Sequence, residues 1–349
     1  MQGGVVATAT VDVMKTPERL VRPLLAWYAR ARRDLPWRRS RDPYAVWVSE
    51  VMLQQTQVER VRDFFVRFME RFPTVHALAA AREPTVLKHW EGLGYYRRAR
   101  QLHAAAKRLV ADHGGVFPRS VDGLRSLPGI GRYTAGAIAS IAFDLPEPIV
   151  EANSRRVIAR LVGHDSPLDG PGGDGPIWEI ASQLVPKRQA GRFNQALMDL
   201  GAMVCTPDRP LCGRCPLAKA CIASATGRVD VIPAKSKRAV VKRLRETALI
   251  IRHGGSVLVE QRGRGAWWEG LWDFPRVGGA AVKQGREIGN VAYTVTHHRI
   301  ECAVREQVAS RRRKPAAGQR WVPIDGLAML AMTAPGRRIA TMISKAMPP

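Results

Sequence analysis

Leu127-Pro128-Gly129-Ile130-Gly131-Arg132-Tyr133-Thr134-Ala135-Gly136-Ala137-Ile138 and, after an apolar run, Ile149-Val150-Glu151-Ala152-Asn153-Ser154-Arg155-Arg156 decide the reading of this 349-residue chain. The first piece predicts a short helix, a glycine hairpin and a second helix. Gly129 and Gly131 are expected to let the backbone turn with positive φ and to keep side chains out of the way of a phosphate. With Ile130 between them, the unpaired N–H groups at the start of the second helix would face that phosphate. About 20 residues after Gly131 stands a single acidic residue, Glu151. A phosphate grip followed by one carboxylate points to chemistry on nucleic acid.

Composition agrees. Fifty-five Lys and Arg against 30 Asp and Glu give a formal charge of +25, which calls for a polyanionic partner. An arginine-rich proteome style is the bland alternative. No apolar run is long enough for a membrane span. Met1 to Thr16 lacks the basic start and apolar core of a signal peptide and is expected to be a disordered tail. The setting expected is cytoplasmic, on the nucleoid, for a monomer.

Outward from the hairpin, residues 17–224 read as almost all helix. Leu20, Leu24, Leu25, Trp27 and Tyr28 begin one amphipathic helix. A longer one follows Asp42-Pro43, with Val46, Trp47, Val51, Leu53, Val58 and Val61 on its apolar face. Residues 163–175 read as a loop, and residues 225–245 as an exposed basic linker. From residue 246 to 349 the signals are those of a small α+β domain: Ala248–Ile251, a Gly254-Gly255 turn, Val257–Val259, and a helix near the end. The basic tract Arg311–Lys314 reads as a solvated loop.

Cys205, Cys212, Cys215 and Cys221 form C-x6-C-x2-C-x5-C, in a chain of five cysteines. So dense a group suits a metal centre in a reducing compartment rather than disulfides. One C-x2-C knuckle with two wide flanking gaps favours a [4Fe–4S] cluster over structural zinc, which usually takes two knuckles. Arg209, Arg214 and Lys219 inside the loop would make it a basic knob for DNA. Cys302 reads as an ordinary strand residue.

Taken together, Ser49–Val58, Gly92-Leu93-Gly94-Tyr95-Tyr96, Leu127–Ile138, Phe193–Gly201 and the cysteine loop resemble the MutY-type adenine DNA glycosylases of the helix-hairpin-helix superfamily. The resemblance implies a mainly α glycosylase domain with an iron–sulfur cluster loop, followed by a smaller α+β Nudix-like domain. It implies removal of adenine mispaired with 8-oxoguanine or guanine in duplex DNA, the start of base-excision repair. Its C-terminal module would recognise 8-oxoguanine without hydrolysing nucleotides, since the Nudix box is absent. Where the family usually has Phe-Ser-His, this chain has Val295-Thr296-His297, which keeps the hydroxyl.

Breaking the bond between adenine and deoxyribose needs a proton on the base and an anion near the developing oxocarbenium ion, so two carboxylates in unlike surroundings are expected. Glu50, with Val46, Trp47 and Leu53 on its helix face, would be desolvated and hold a proton near neutral pH. Glu151 stands where the family carries Asp, one methylene further out. A re-seated carboxylate, a slower enzyme and a divergent specificity are the readings left open. Asn153 and Tyr133 match residues that stabilise the sugar, although Asn153 as a helix cap and Tyr133 as packing are the plain alternatives. Tyr133 occupies the place of the Schiff-base lysine of related lyases, and no lysine occurs between Lys107 and Lys187. Base removal without strand cleavage is therefore expected. By resemblance, Gln55 and Tyr95 wedge into the base stack, Trp37, Arg38 and Gln195 line the adenine pocket, and Gly129, Ile130 and Gly131 hold phosphate. The rivals are a thymine or uracil mismatch glycosylase and a catalytically weak mismatch-binding protein.

Overall fold

The computed structural model describes residues 17–169, 173–234, 240–278 and 285–345, so the expected tail, Met1 to Thr16, lies outside the described residues. By its contacts the chain divides into two units: Met1–His76 with Ala104–Lys237, and Ala77–His103 with Arg238–Pro349.

The helices run in order as α1 (Glu18–Ala31), α2 (Pro43–Leu53), α3 (Val58–Arg71), α4 (Val75–Ala80), α5 (Glu83–His89), α6 (Arg97–His113), α7 (Val121–Arg125) and α8 (Arg132–Ala137). A π-helical turn, Ile138–Ala142, continues α8, and α9 (Ala152–Val162), α10 (Gly175–Leu184), α11 (Ala190–Met203) and α12 (Ile222–Ala225) follow. Asp42 starts α2 by accepting from the Tyr44 N–H at 3.0 Å, with Pro43 in the first turn, where its missing N–H costs nothing. From Tyr44 to Met52 every residue of α2 is buried, which explains its apolar character all round. The long helix expected from Asp42 to beyond Val61 is in fact two. Gln55, at φ +56°, and the extended Gln57 stop α2 and restart the chain as α3. An apolar face that resumes in register hid this break.

In the first unit Leu20 and Leu24 of α1, Ile158 and Leu161 of α9, Trp178 of α10 and Phe193, Leu197 and Leu200 of α11 share one core. Helix α9 ends on Gly163 in the left-handed conformation, a position where glycine carries no Cβ penalty.

The second unit holds a mixed seven-stranded sheet: β1 (Lys242–His253), β2 (Ser256–Gln261), β3 (Trp272–Asp273), β4 (Arg276–Gly278), β5 (Arg286–Val295), β6 (His298–Val308) and β7 (Gln319–Pro323). The order is β3-β2-β1-β6-β5, with β4 paired to β1 and β7 to β2. β1 and β6 run parallel, from Lys242 beside His298 to Arg252 beside Val308, and the other pairs are antiparallel. Helix α13 (Ala334–Lys345) lays Ile339 and Ile343 on a core of Ile250, Val257, Val259, Phe274 and Val304. Cys302 is a buried residue of β6, and Arg311–Lys314 is exposed and outside the strands. No helix among the described residues is long and apolar enough to cross a membrane.

Candidate active site

Glu50 sits near the C-terminal end of α2, only 4% exposed. The hydroxyl of Tyr133, on the second turn-forming residue of α8, donates to its Oε2. Burial pushes the Glu50 carboxyl up to about 7. The Tyr133 hydrogen bond and the Arg38 charge oppose that rise, and the charge of Glu151 adds to it. Burial, and then Glu50 itself, likewise push the Tyr133 hydroxyl well above its ordinary value. The hairpin and α2 therefore place a protonatable carboxyl beside a phenol that stays protonated.

Glu151 does different work. It is the N-cap of α9, accepting from the backbone N–H of Asn153 and of Ser154, each at 2.8 Å, and from Asn153 Nδ2 at 3.2 Å. Ser154 Oγ accepts in return from the Glu151 N–H at 2.9 Å, completing a capping box. The carboxylate thus stands where three donors and the positive end of a helix converge. Glu151, and not Asn153, caps this helix. Asn153 is instead held by the cap on one side and on the other by Arg156, whose Nη2 donates to Asn153 Oδ1 at 3.0 Å. The same guanidinium donates to Gly201 O at 2.8 Å and Cys205 O at 2.8 Å.

At Gly201 no side chain fits, since a Cβ there would come within 2.8 Å of Asn153 O. Helices α9 and α11 owe their close approach to that glycine.

A cavity of about 510 Å3 is lined by Tyr28, Arg32, Arg33, Arg38, Ile141, Gln195 and neighbouring polar residues. Asp199, fully buried, anchors its wall: Arg38 donates to both of its oxygens at 2.6 and 3.1 Å, and Arg33 Nε donates at 2.8 Å. Burial alone would lower the Arg38 guanidinium, but the Asp199 carboxylate outweighs it and Arg38 stays charged. Tyr28 donates to Gln195 Oε1 at 2.8 Å, which leaves the Gln195 amide N–H groups for a ligand. Arg38 and Gln195 thus line one cavity. Trp37 is not on its wall; it is buried edge-to-face on Phe65, with ring centroids 5.6 Å apart.

In the hairpin, Gly129 has φ +74°, but Gly131 is extended at φ −88°, so only one of the two needs a left-handed backbone. A Cβ at Gly131 would meet nothing within 4 Å, which leaves that side of the backbone open. Ile130 is buried beneath it. Gln55 and Tyr95 are both exposed and both left-handed, at φ +56° and +48°. In the second unit Thr296, at φ +52°, is exposed in the turn between β5 and β6. The half-buried His297 follows it, its ring centroid 4.1 Å from that of His298.

The four cysteines line one small cavity with Arg160, Val204, Pro210 and Val229. Arg160 donates to Cys205 Sγ at 3.3 Å and to Thr206 O at 2.7 Å, and Cys221 Sγ donates to Arg160 O at 3.3 Å. Burial and then the neighbouring thiols push Cys215 up to about 11, once a backbone hydrogen bond has offset part of the rise. Burial raises the Cys221 thiol as well, so ionising these two side by side calls for a compensating cation. Among the described residues no three ligating side chains stand close enough to share a single metal ion. The four thiols nonetheless line the same cavity, a donor set of sulfur that suits an iron–sulfur group.

Tyr28, Arg33, Asp199, Arg156 and Arg160 escaped the sequence reading. Asp199 lies in the Phe193–Gly201 block and could have been found as a carboxylate on an otherwise buried helix face. Arg156 and Arg160 gave no signal, because a helical Arg reads as solvated surface, and Arg33 lies in the loop after α1.

The sequence signature of the HhH-GPD superfamily base excision DNA repair proteins matches residues 48–170, and that of the NUDIX domain matches residues 247–342. The adenine DNA glycosylase of Rattus norvegicus is 46% identical over 224 residues, 61% of this chain and 43% of its own. That of Buchnera aphidicola subsp. Schizaphis graminum is 34% identical over 253 residues, 72% of this chain and 73% of its own. A thermostable thymine-DNA glycosylase of known structure superposes with a TM-score of 0.55 at 30% identity, over 61% of this chain and 98% of that one. The chain spans about half the length of the mammalian relatives it matches. Its helical fold, its NUDIX portion and these identities agree: the chain belongs to the adenine DNA glycosylase family.

Proposed function

We propose that this protein is a monofunctional adenine DNA glycosylase. It hydrolyses the bond between deoxyribose and an adenine mispaired with 8-oxoguanine or guanine in duplex DNA. The observation that carries the reading is the pairing of two carboxylates in opposite surroundings. Glu50 is buried, shifted to about 7 and held by Tyr133, while Glu151 is a helix cap with three N–H donors. Because Oε2 of Glu50 accepts from Tyr133, Oε1 is the oxygen from which a proton can pass to a ring nitrogen of the base. The bond electrons leave with the protonated adenine. The sugar cation that remains is stabilised by the Glu151 carboxylate with Asn153 beside it, until water adds to the sugar carbon and loses a proton. With Tyr133 in place of an amine, no Schiff base forms.

The cavity of Arg38 and Gln195 receives the flipped adenine, Gln55 and Tyr95 enter the stack, and the Gly129–Gly131 backbone takes a phosphate. Residues 17–224 would form the glycosylase domain, 225–245 the linker and 246–349 the module whose Thr296 and His297 read 8-oxoguanine. Cys205, Cys212, Cys215 and Cys221 would hold a [4Fe–4S] cluster that folds a basic DNA-docking loop. Purified protein is then expected to be brown, with roughly four irons per chain. Colourless protein carrying zinc would remove this assignment.

Duplexes carrying A opposite 8-oxoguanine, A opposite G, T opposite G and U opposite G test the activity. Cleavage of the adenine strands alone, and only after alkali, is expected. Nicking without alkali would sink the monofunctional reading, and loss of T or U would favour the mismatch rival.

A further inference from the structure

A half-buried ion pair ties two distant stretches of the second unit together. Glu91 lies in the turn after α5, its side chain 13% exposed. Arg337 of α13 grips it with two prongs, Nε to Oε1 at 2.5 Å and Nη2 to Oε2 at 3.1 Å. Lys88 Nζ donates to the same Oε2 at 3.1 Å and to Leu330 O at 3.2 Å. The remaining Arg337 donors go to Leu327 O and Leu330 O, at 2.9 and 2.5 Å. One carboxylate thus joins two cations on separate segments, and removing it leaves those cations facing each other without a counter-charge.

Four residues beyond Glu91 comes Tyr95, and the turn between them is cross-linked. Trp90 Nε1 donates to Gly94 O at 3.1 Å, and Arg98 Nη2 donates to Gly94 O at 3.3 Å and Leu93 O at 3.4 Å. The Arg98 guanidinium lies 5.6 Å from the Trp90 ring centroid and 5.3 Å from that of Tyr95. A turn so braced moves as one piece, so a displacement at Glu91 reaches Tyr95.

We propose that the Glu91–Arg337 ion pair is a positioning device that fixes the Tyr95 turn to the C-terminal α+β fold, so that reading the base opposite adenine and inserting Tyr95 form a single event. The proposal rests on the glycosylase reading for its consequence in catalysis, though not for the coupling itself. A bidentate pair holds one geometry, where an apolar contact of equal stability would tolerate sliding.

The test uses the full chain as Glu91→Ala, Arg337→Ala, the double variant and the milder Glu91→Gln, each shown to unfold cooperatively. Amide hydrogen exchange over residues 90–98 is expected to rise about tenfold in either single alanine variant and no further in the double. Glu91→Gln should fall between these and wild type. The preference for adenine opposite 8-oxoguanine over adenine opposite G is expected to drop about tenfold, with excision opposite G nearly unchanged. Unchanged exchange in the turn, additive effects in the double variant, or an equal fall on both duplexes would each overturn the proposal. A wild-type protein inactive on both duplexes would remove the glycosylase reading, and exchange would still decide the coupling.

Discussion

Glu50→Gln is expected to lower single-turnover adenine excision by about 10²- to 10⁴-fold while making the folded protein more stable at neutral and higher pH. Both effects come from one property. Burial raises the Glu50 carboxyl to about 7, so in the folded state it still holds its proton where the unfolded chain, near the ordinary 4.5, has lost it. Between those values the native state binds more protons than the unfolded one, so stability falls as pH rises. The penalty is absent below 4.5, grows through the window and is complete above about 7. Its size is at most about 3 kcal/mol, from the width of the window. Glutamine keeps the shape and carries no charge, so it removes the penalty together with the transferable proton. Urea unfolding at pH 6 and pH 8 checks this: the gain of the variant over wild type should be larger at pH 8. Wild-type excision should decline above about pH 7, as the acid is titrated away. A variant with wild-type excision would show that another group protonates the base.

Glu151→Gln comes second. An amide offers one acceptor oxygen where the carboxylate uses two, against Asn153 N and Ser154 N. It also removes the negative charge from the α9 N-terminus. A loss of about 1 kcal/mol in stability and of 100-fold or more in excision is expected. Glu151→Asp separates the two roles. Aspartate is an excellent N-cap, so stability should stay within a few tenths of a kcal/mol of wild type, and excision should be kept or raised. The extra methylene of Glu151 is spent on folding the carboxylate back onto its own helix, so the longer side chain need not displace the charge. If Glu151→Gln retained full excision at the same stability, the sugar-stabilising role would have to move elsewhere.

What could be read before the fold was known follows from how local each signal is. The hairpin, Glu50 in its apolar helix and the cysteine spacing are short-range patterns, and a few neighbouring residues specify them. Tyr133 was legible as a missing lysine, but its partnership with Glu50 joins residues 83 positions apart and needed the fold. Asp199 and Arg38 meet across 161 positions, and Arg156 reaches Cys205 across 49. Trp37 packs on Phe65 rather than on the cavity wall of Arg38 and Gln195, and an aromatic side chain carries no mark in the sequence of which way it will face. The break at Gln55 was invisible for a related reason: backbone strain has no signature in hydrophobic periodicity.

That strain has a price of its own. Gln55, Tyr95 and Thr296 are three of the seven non-glycine residues with positive φ among the described residues. Each costs of order 1 kcal/mol relative to glycine at the same place. A screen for thermal tolerance alone would therefore favour glycine at all three and, in doing so, strip out the side chains assigned to the damaged pair. On the function proposed above, these bends trade robustness against recognition.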